Sequence, residues 1–488
     1  MEEGPLFDIS KRDKFSINFP GYDIPRDRLS IAPMMDVTDR HFRFMMRLLT
    51  RRTMLWTEMV VDDTLLHNGD ILGYYLGFDP IENPITVQLG GNHPEKLAEA
   101  AGICEQFGGY DEINLNCGCP SPKVSSRCFG AALMLDPERV REITHQMARR
   151  ATSTPITVKC RIGADDKDSY EDLVNFVSTV KQSGVNHFIV HARKCILNGL
   201  SAAKNRTVPP LKYDVVQRLA ADFPELKFSI NGGITDFDQA RARLAAGPAN
   251  LRGAMLGRAA WHTPWLFRTA DSEFYGRRDP GYTRREVVQK HLEYCRKLED
   301  TYGNVKDSDT GQYGWGKFMM VRPLMHLFGG TPGSRNFKRA LTECWNHNKE
   351  TVELEDLVLD QLHHIPERYL DEPPVPPEAG RCSSSDDSCC NNTPPTLGTS
   401  EQEEDCSCYF SNDHGVGGAE NGGTMDPFSS TINEEEINSD KNSRANVNDR
   451  RHYDINSAPP PLPPSSLFPP DTSPSEVIGT PPSLYTVG

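Results

Sequence analysis

Eight short apolar runs, each followed by a helical or looped connection, recur between Leu29 and Leu256, and nothing else in the chain restricts its fold as much. They fall at 29–35, 54–59, 84–91, 111–116, 155–161, 187–191, 227–231 and 251–256. The fourth shows the pattern best. Ile113 and Leu115 alternate with Asn114 and Asn116, the period of two of a strand, and Gly118 and Pro120 then stop it. Between the runs the spacing changes to that of helices. Phe42, Met45, Met46 and Leu49 make one apolar face, and so do Leu97, Ala100, Ala101 and Cys104, then Val140, Ile143 and Met147, then Leu173, Phe176, Val177 and Val180. Asp36 or Thr38 is expected to cap the first of these helices, Asp136 before Pro137 the third, and Ser169 with Asp172 to form a capping box on the fourth. Arg40, Arg43 and Arg47 read as the solvated face of the first. Consecutive βα units force a parallel sheet, and eight of them fit a closed (β/α)8 TIM barrel better than an open doubly wound sheet.

In a barrel, the C-terminal strand ends form one rim, where such folds carry their chemistry. Met34, Gln88, Asn116, Lys159, His191, Asn231 and Gly257 are all expected there. Asn231-Gly232-Gly233 and Gly257-Arg258 follow strands seven and eight, where barrels bind phosphate, and glycines let backbone amides approach an anion. Lys159 at the end of a buried strand needs an anion, either a ligand or a neighbouring acid. Gln88 can both donate and accept, as recognition of a heterocyclic imide requires. His191 alone suits a metal ligand, a base or a satisfied core histidine. Around a phosphate site, Lys159, Gln88 and His191 together resemble the ring contacts of flavin mononucleotide. Cys119 leaves strand four in a Cys-Pro-Ser-Pro turn. A nucleophile there would need a depressed pKa, a proton donor a neutral thiol.

Charge matters once a polyanionic partner is considered. The formal net charge of −15 belongs wholly to residues 371–488, so residues 1–370 are neutral and a basic patch must be sought locally. The 13 cysteines show no repeated metal-ligand spacing, so no metal site is expected and reduced thiols are. No apolar stretch is long enough for a membrane span and no secretory signal is evident, which predicts a cytoplasmic protein, with organellar import left open.

Six separated motifs carry a family resemblance: Ala32-Pro33-Met34-Met35-Asp36, Gln88-Leu89-Gly90-Gly91, Asn114-Leu115-Asn116 through Cys119-Pro120-Ser121, Lys159-Cys160-Arg161-Ile162-Gly163, His191-Ala192-Arg193-Lys194, and Ser229-Ile230-Asn231-Gly232-Gly233. They resemble the tRNA-dihydrouridine synthases, the A-type subgroup above all through Gly199-Leu200-Ser201 and Asn205-Arg206. The resemblance implies an FMN enzyme that takes hydride from NADPH and delivers it to C6 of a flipped-out uracil in the tRNA D-loop, at positions 20 and 20a. It implies Cys119 as the general acid toward C5, Asn116 as a contact to the uridine, and Lys194, Arg206, Arg335 and Lys338 as tRNA contacts. Pro33, Met34, Met35, Gln88, Lys159, His191, Asn231, Gly232, Gly233, Gly257 and Arg258 would hold the cofactor. Ala203 departs from a lysine in that pattern, and Lys338 from an arginine. A flavoenzyme acting on free pyrimidines, or an RNA-binding module without catalysis, remain the alternatives.

The expected division is an N-terminal extension over 1–27, the barrel over 28–282, a helical domain over 283–370 and a disordered acidic, Pro/Ser-rich tail over 371–488. In the helical domain Val287, Val288, His291 and Leu292 open one run and Phe318, Val321, Leu324 and Met325 another. Lys317, Arg322, Arg335, Lys338 and Arg339 are expected to give it a basic side suited to RNA. The proline run at 459–464 offers a ligand to a polyproline-reading partner, with a passive extension the plainer reading. A monomer is expected.

Overall fold

The computed structural model describes residues 26–121, 124, 128–302, 316–348 and 352–373. The expectations for most of the N-terminal extension and for the tail beyond residue 373, with its proline run, lie outside the described residues.

Eight strands appear: β1 (Leu29–Ile31), β2 (Leu55–Val61), β3 (Ile85–Gly90), β4 (Glu112–Cys117), β5 (Ile156–Arg161), β6 (His187–His191), β7 (Lys227–Asn231) and β8 (Leu251–Leu256). All neighbours are parallel, in the order β1-β8-β7-β6-β5-β4-β3-β2. The seam between β1 and β2 is closed by a parallel bridge from Ser30 to Met54, with Met54 donating to the Leu29 carbonyl at 3.0 Å. The expected (β/α)8 barrel is therefore the fold. β1 is shorter than its apolar run, because Met34 turns the chain. The Met34 amide bonds Thr38 Oγ1 at 3.0 Å and its carbonyl accepts from the Thr38 amide at 2.9 Å.

Alternation along the strands sorts side chains between two cores. Val87, Leu89, Ile113, Leu115, Val158, Phe188, Val190, Phe228 and Ile230 belong to the large apolar cluster against the helices. Their alternates point into the barrel. A small separate cluster of Ala32, Met54, Trp56, Ile189 and Met255 fills part of that interior, and the rest is polar. Gln88, Asn114, Asn116 and Thr157 are all buried there.

The helix α1 (Arg40–Leu49) corrects two expectations. Its N-cap is Asp39, whose carboxylate accepts from the Phe42 amide at 2.9 Å, in place of Asp36 or Thr38. Arg40, Arg43 and Arg47 are buried, so no solvated face exists. Arg43 pairs with Glu82 at 2.7 Å, and Arg47 donates to the carbonyls of Thr50, Thr53, Glu82 and Pro84. These cations tie the helix to the chain that enters β3. Asp136 caps the helix Pro137–Arg150, and Ser169 with Asp172 forms the capping box, as the spacing predicts.

Helices Arg284–Tyr302, Lys317–Val321, Ser334–Asn348 and Leu354–Leu359 form one compact unit with the barrel. The first two of them cover the outer side of α1. Phe44 stacks on Tyr294 with ring centroids 3.9 Å apart, and Arg40 Nε donates to the Tyr294 hydroxyl at 3.2 Å. Val287, Val288, His291, Leu292, Val321 and Leu324 are buried in this layer. Arg322 reaches back to Asp39 at 2.9 Å, and Lys317 lies 3.8 Å from Glu299 and donates to the Val352 carbonyl. Two of the five cations expected on a basic side are therefore spent on packing. Among the described residues, no helix is long and apolar enough to cross a membrane.

Candidate active site

The rim is organised by Asn116 near the end of β4. Its side-chain oxygen accepts from the amides of Gly118 at 3.0 Å and Cys119 at 2.9 Å, so the first turn of the cysteine loop is folded onto the strand that precedes it. Its NH2 group donates to Gln88 Oε1 on β3 at 2.8 Å. One N–H of Asn116 is left over, along with one N–H and one lone pair of Gln88, whose Nε2 also donates to Asn114.

In register with Asn116, Lys159 on β5 holds its ammonium inside the rim. Its hydrogen-bond partner there is Asn231 Oδ1 at 3.3 Å, and Asn231 is itself held by the Met255 carbonyl at 2.8 Å. No carboxylate pairs with Lys159 among the described residues, so the reading of a salt bridge to a neighbouring acid does not hold. Burial, helped by the nearby Arg161 charge, brings its pKa down to about 8. A buried ammonium with one long neutral contact is poorly compensated. An anionic or electron-rich ligand would complete it.

Cys119 is half-buried, and burial pushes its thiol above the ordinary range. The Ser121 amide and the charges of Arg161, Arg206 and Lys159 pull it back only in part. At neutral pH the group is a thiol, which suits proton donation rather than nucleophilic attack. Arg161 is the tie among three loops. It donates to the carbonyl of Gly118 at 2.9 Å, of Lys194 at 3.2 Å and of Asn205 at 3.1 Å.

His191 ends β6, and burial among Arg161, Lys159, Arg193 and Arg258 holds its pKa well below the usual value, so the imidazole is neutral. Gly232 and Gly233 follow β7 at φ of 113° and 68°. A β-carbon on Gly232 would lie 2.5 Å from His191 Cδ2, and one on Gly233 2.5 Å from Leu211 Cδ1. Only glycine fits this cradle. Gly257 opens the turn after β8, with Ala32 and Met34 as its nearest neighbours, and the exposed Arg258 beside it donates to the Arg206 carbonyl at 3.4 Å. Pro33 and Met34 are half-buried in the turn after β1, and Met35 is exposed on the rim.

The expected RNA contacts divide. Arg206 is exposed and electrostatically coupled to Cys119 and Arg258. Lys194 is paired to Asp168 at 2.8 Å, beside a shallow pocket that also includes Lys212. Lys338 lies 3.3 Å from His326 Nδ1, and burial with that neighbouring charge depresses His326 to about 3. Arg335 is exposed on the helix Ser334–Asn348.

Sequence reasoning gave no role to Glu58 or Thr157, and none to Arg161 and Asn114 beyond their places in the motifs. Arg161 sits two residues from Lys159 and Asn114 two from Asn116, so the strand period marked both as inward-facing. Glu58 in β2 accepts from the Val37 amide at 3.2 Å, and burial, with Asp39 and Asp36 close by, lifts its pKa to about 7.

A rim that gathers a neutral thiol, an undercompensated buried ammonium and a glycine cradle, on the face where barrels do chemistry, defines a (β/α)8-barrel enzyme. The dihydrouridine synthase family model matches residues 30–363, and the chain belongs to that family. It is 44% identical over 315 residues to the tRNA-dihydrouridine(20/20a) synthase of Synechocystis, covering 64% of this chain and 88% of that one. The proteins of the same name from Shewanella oneidensis and Escherichia coli K12 are 40% and 42% identical, covering 93% and 86% of their lengths and 68% and 65% of this chain. Solved structures with some likeness to this chain include the old yellow enzyme homologue of Zymomonas mobilis, at 11% identity and a TM-score of 0.37 over 50% of this chain and 88% of that one, too loose a likeness to carry an argument.

Proposed function

We propose that the protein reduces uridines in the tRNA D-loop, at positions 20 and 20a, to 5,6-dihydrouridine, with FMN as cofactor and NADPH as the reductant. The observation that carries this reading is the pairing, on one rim, of a thiol kept neutral by burial with a buried ammonium that meets no acid among the described residues, in a member of this family. The residues present fit a flavin mononucleotide. Lys159 and the free edge of Gln88 suit the polar edge of a heterocycle, Gly232, Gly233, Gly257 and Arg258 suit a phosphate, and Asn231, the neutral His191 and the turn Pro33-Met34-Met35 would help to hold the group. When bound, the flavin supplies hydride to C6 of the uracil.

The chain's own residues complete the addition. Cys119 Sγ–H gives its proton to C5 as the C5–C6 double bond is lost, and the resulting thiolate sits among Arg161, Arg206 and Lys159. These charges lower the cost of that thiolate without ionising the resting thiol. The remaining N–H of Asn116 can hold an acceptor on the extruded base. Arg206, Arg335, Lys338 and Lys194 supply cations for the phosphate backbone, and Lys194 would exchange Asp168 for RNA.

The test is position-resolved mass spectrometry of unmodified tRNA incubated with NADPH and the full-length protein. Wild type should place dihydrouridine in the D-loop, and Cys119→Ala should bind flavin and tRNA yet turn over about 10²-fold or more slowly. Wild-type turnover in the variant overturns the general-acid role. Wild-type protein that holds reducible flavin but leaves tRNA unchanged points instead to a free pyrimidine as substrate.

A further inference from the structure

Inside the barrel, polar side chains run in single file from the rim toward the opposite end. Asn116 Nδ2 donates to Gln88 Oε1 at 2.8 Å, Gln88 Nε2 to Asn114 Oδ1 at 2.9 Å, and Asn114 Nδ2 to Thr157 Oγ1 at 3.0 Å. The Thr157 hydroxyl donates to Glu112 Oε2 at 3.3 Å, and Glu112 Oε1 lies 3.4 Å from His187 Nδ1. His187 Nε2 meets Ser229 Oγ at 2.9 Å, and Ser229 reaches Asp27, which Arg252 holds at 2.7 Å. Gln88, Asn114 and Thr157 are at most 1% exposed.

The direction of this file has a physical cause. A carboxamide is nearly the same shape turned over, so packing does not choose which end carries oxygen. Its partners do. The Glu112 carboxylate can only accept, so the Thr157 hydroxyl points toward it and offers lone pairs to Asn114. Asn114 must then present NH2 to Thr157 and oxygen to Gln88, and Gln88 must present NH2 to Asn114 and oxygen to Asn116. Asn116 is left with its oxygen toward the amides of Gly118 and Cys119, which can only donate. Both ends demand the same polarity, and reversing any member sets donor against donor or acceptor against acceptor inside a buried file.

We infer that Thr157 and Glu112 are positioning residues, which set from below the rim the orientation of the Gln88 and Asn116 carboxamides and hence the hydrogen-bonding edge shown to the cofactor and the base. The inference rests on the reading of the rim as a flavin site. The Thr157 hydroxyl bonds Asn114 and Glu112, neither of which is proposed to meet a ligand, so its effect on the rim travels through Asn114.

The test uses Thr157→Val, which keeps shape and removes the hydroxyl, and Thr157→Ser, which keeps the hydroxyl and removes a methyl group. FMN is titrated into the flavin-free full-length proteins, with visible absorption and thermal melting recorded for each. Thr157→Val should bind FMN about tenfold more weakly, the scale of one unsatisfied buried donor, and shift the flavin absorption bands, while Thr157→Ser binds as wild type does. Asn114→Leu cuts the same file at another point and should reproduce the valine result if Thr157→Val does not fold. Wild-type affinity and spectrum in Thr157→Val or Asn114→Leu would overturn the inference alone, as would equal impairment in Thr157→Ser. Wild-type protein that takes up no FMN would overturn the flavin reading and this inference with it.

Discussion

Two ionisable side chains report on the rim through pH. Lys159 has its pKa depressed from 10.5 to about 8, so between those values the unfolded chain binds a proton that the folded protein has released, and stability rises with pH across that window. A ligand that prefers the ammonium reverses the preference locally. FMN affinity should therefore be constant below pH 8 and fall about tenfold per pH unit above it, a slope that fluorescence titration should find flat in Lys159→Met. Glu58 behaves oppositely to an ordinary paired acid. Its pKa is raised from 4.5 to about 7, so the folded protein holds a proton that the unfolded chain has lost; the stabilisation is full below 4.5 and is lost as pH rises to about 7. Up to about 3 kcal/mol is at stake. Calorimetry from pH 4.5 to 7.5 should show wild type losing stability relative to Glu58→Gln, and parallel curves would refute the assignment. At this scale the rim positions of Lys159 and Asn116 were legible because each is a polar residue at a strand exit, and that of Cys119 because its turn follows directly on β4. Glu58 was not, since a single acid in a strand gives no sign that Asp36 and Asp39 will be folded beside it.

Among the elements, α1 departs most from its sequence pattern. Helical spacing identifies its apolar face, yet Arg40, Arg43 and Arg47 on the remaining surface are buried too. A helix of the barrel's outer ring normally shows one side to water, and here the helix Arg284–Tyr302 lies over that side, with Tyr294 against Phe44. Burial changes what an ion pair is worth. Arg43 and Glu82 are 5% and 0% exposed at 2.7 Å, so Glu82→Ala should cost about 3–5 kcal/mol by stranding the guanidinium. The pair Lys181–Glu225, at a similar distance but 34% and 54% exposed, should lose little or no stability when Glu225→Ala is made, because water screens both charges. Denaturant titration of the two variants separates these outcomes, and equal losses would mean that water reaches Arg43. The strands were legible almost to the residue because their two faces differ in kind, apolar toward the helices and polar toward the barrel interior. β1 was overestimated, since Ala32-Pro33-Met34-Met35 is as apolar as a strand and the bonds from Val37 and Thr38 to Met34 turn it.

For the molecule as a whole, the helical layer and the barrel depend on one another. Asp39 caps α1 and at the same time holds Arg322 at 2.9 Å, so one carboxylate serves a barrel helix and the added layer. Ending the chain after Tyr282 would remove Tyr294, His291 and Arg322 together, uncovering the ring of Phe44. That shortened chain should aggregate, and a soluble, cooperatively melting monomer in gel filtration and calorimetry would show the barrel to be self-sufficient. The sequence by itself determined the eight-fold βα order, and with it the strands whose ends meet at the rim, because local periodicity and turn chemistry act over a few residues and are written directly in the chain. Only the tertiary structure decided which charges are free. Lys194 is met by Asp168 across 26 positions, Arg322 by Asp39 across 283, and Lys159 by no acid among the described residues. A charge becomes a packing residue or a ligand contact according to what the fold brings within about 4 Å of it, a distance that sequence separation does not encode.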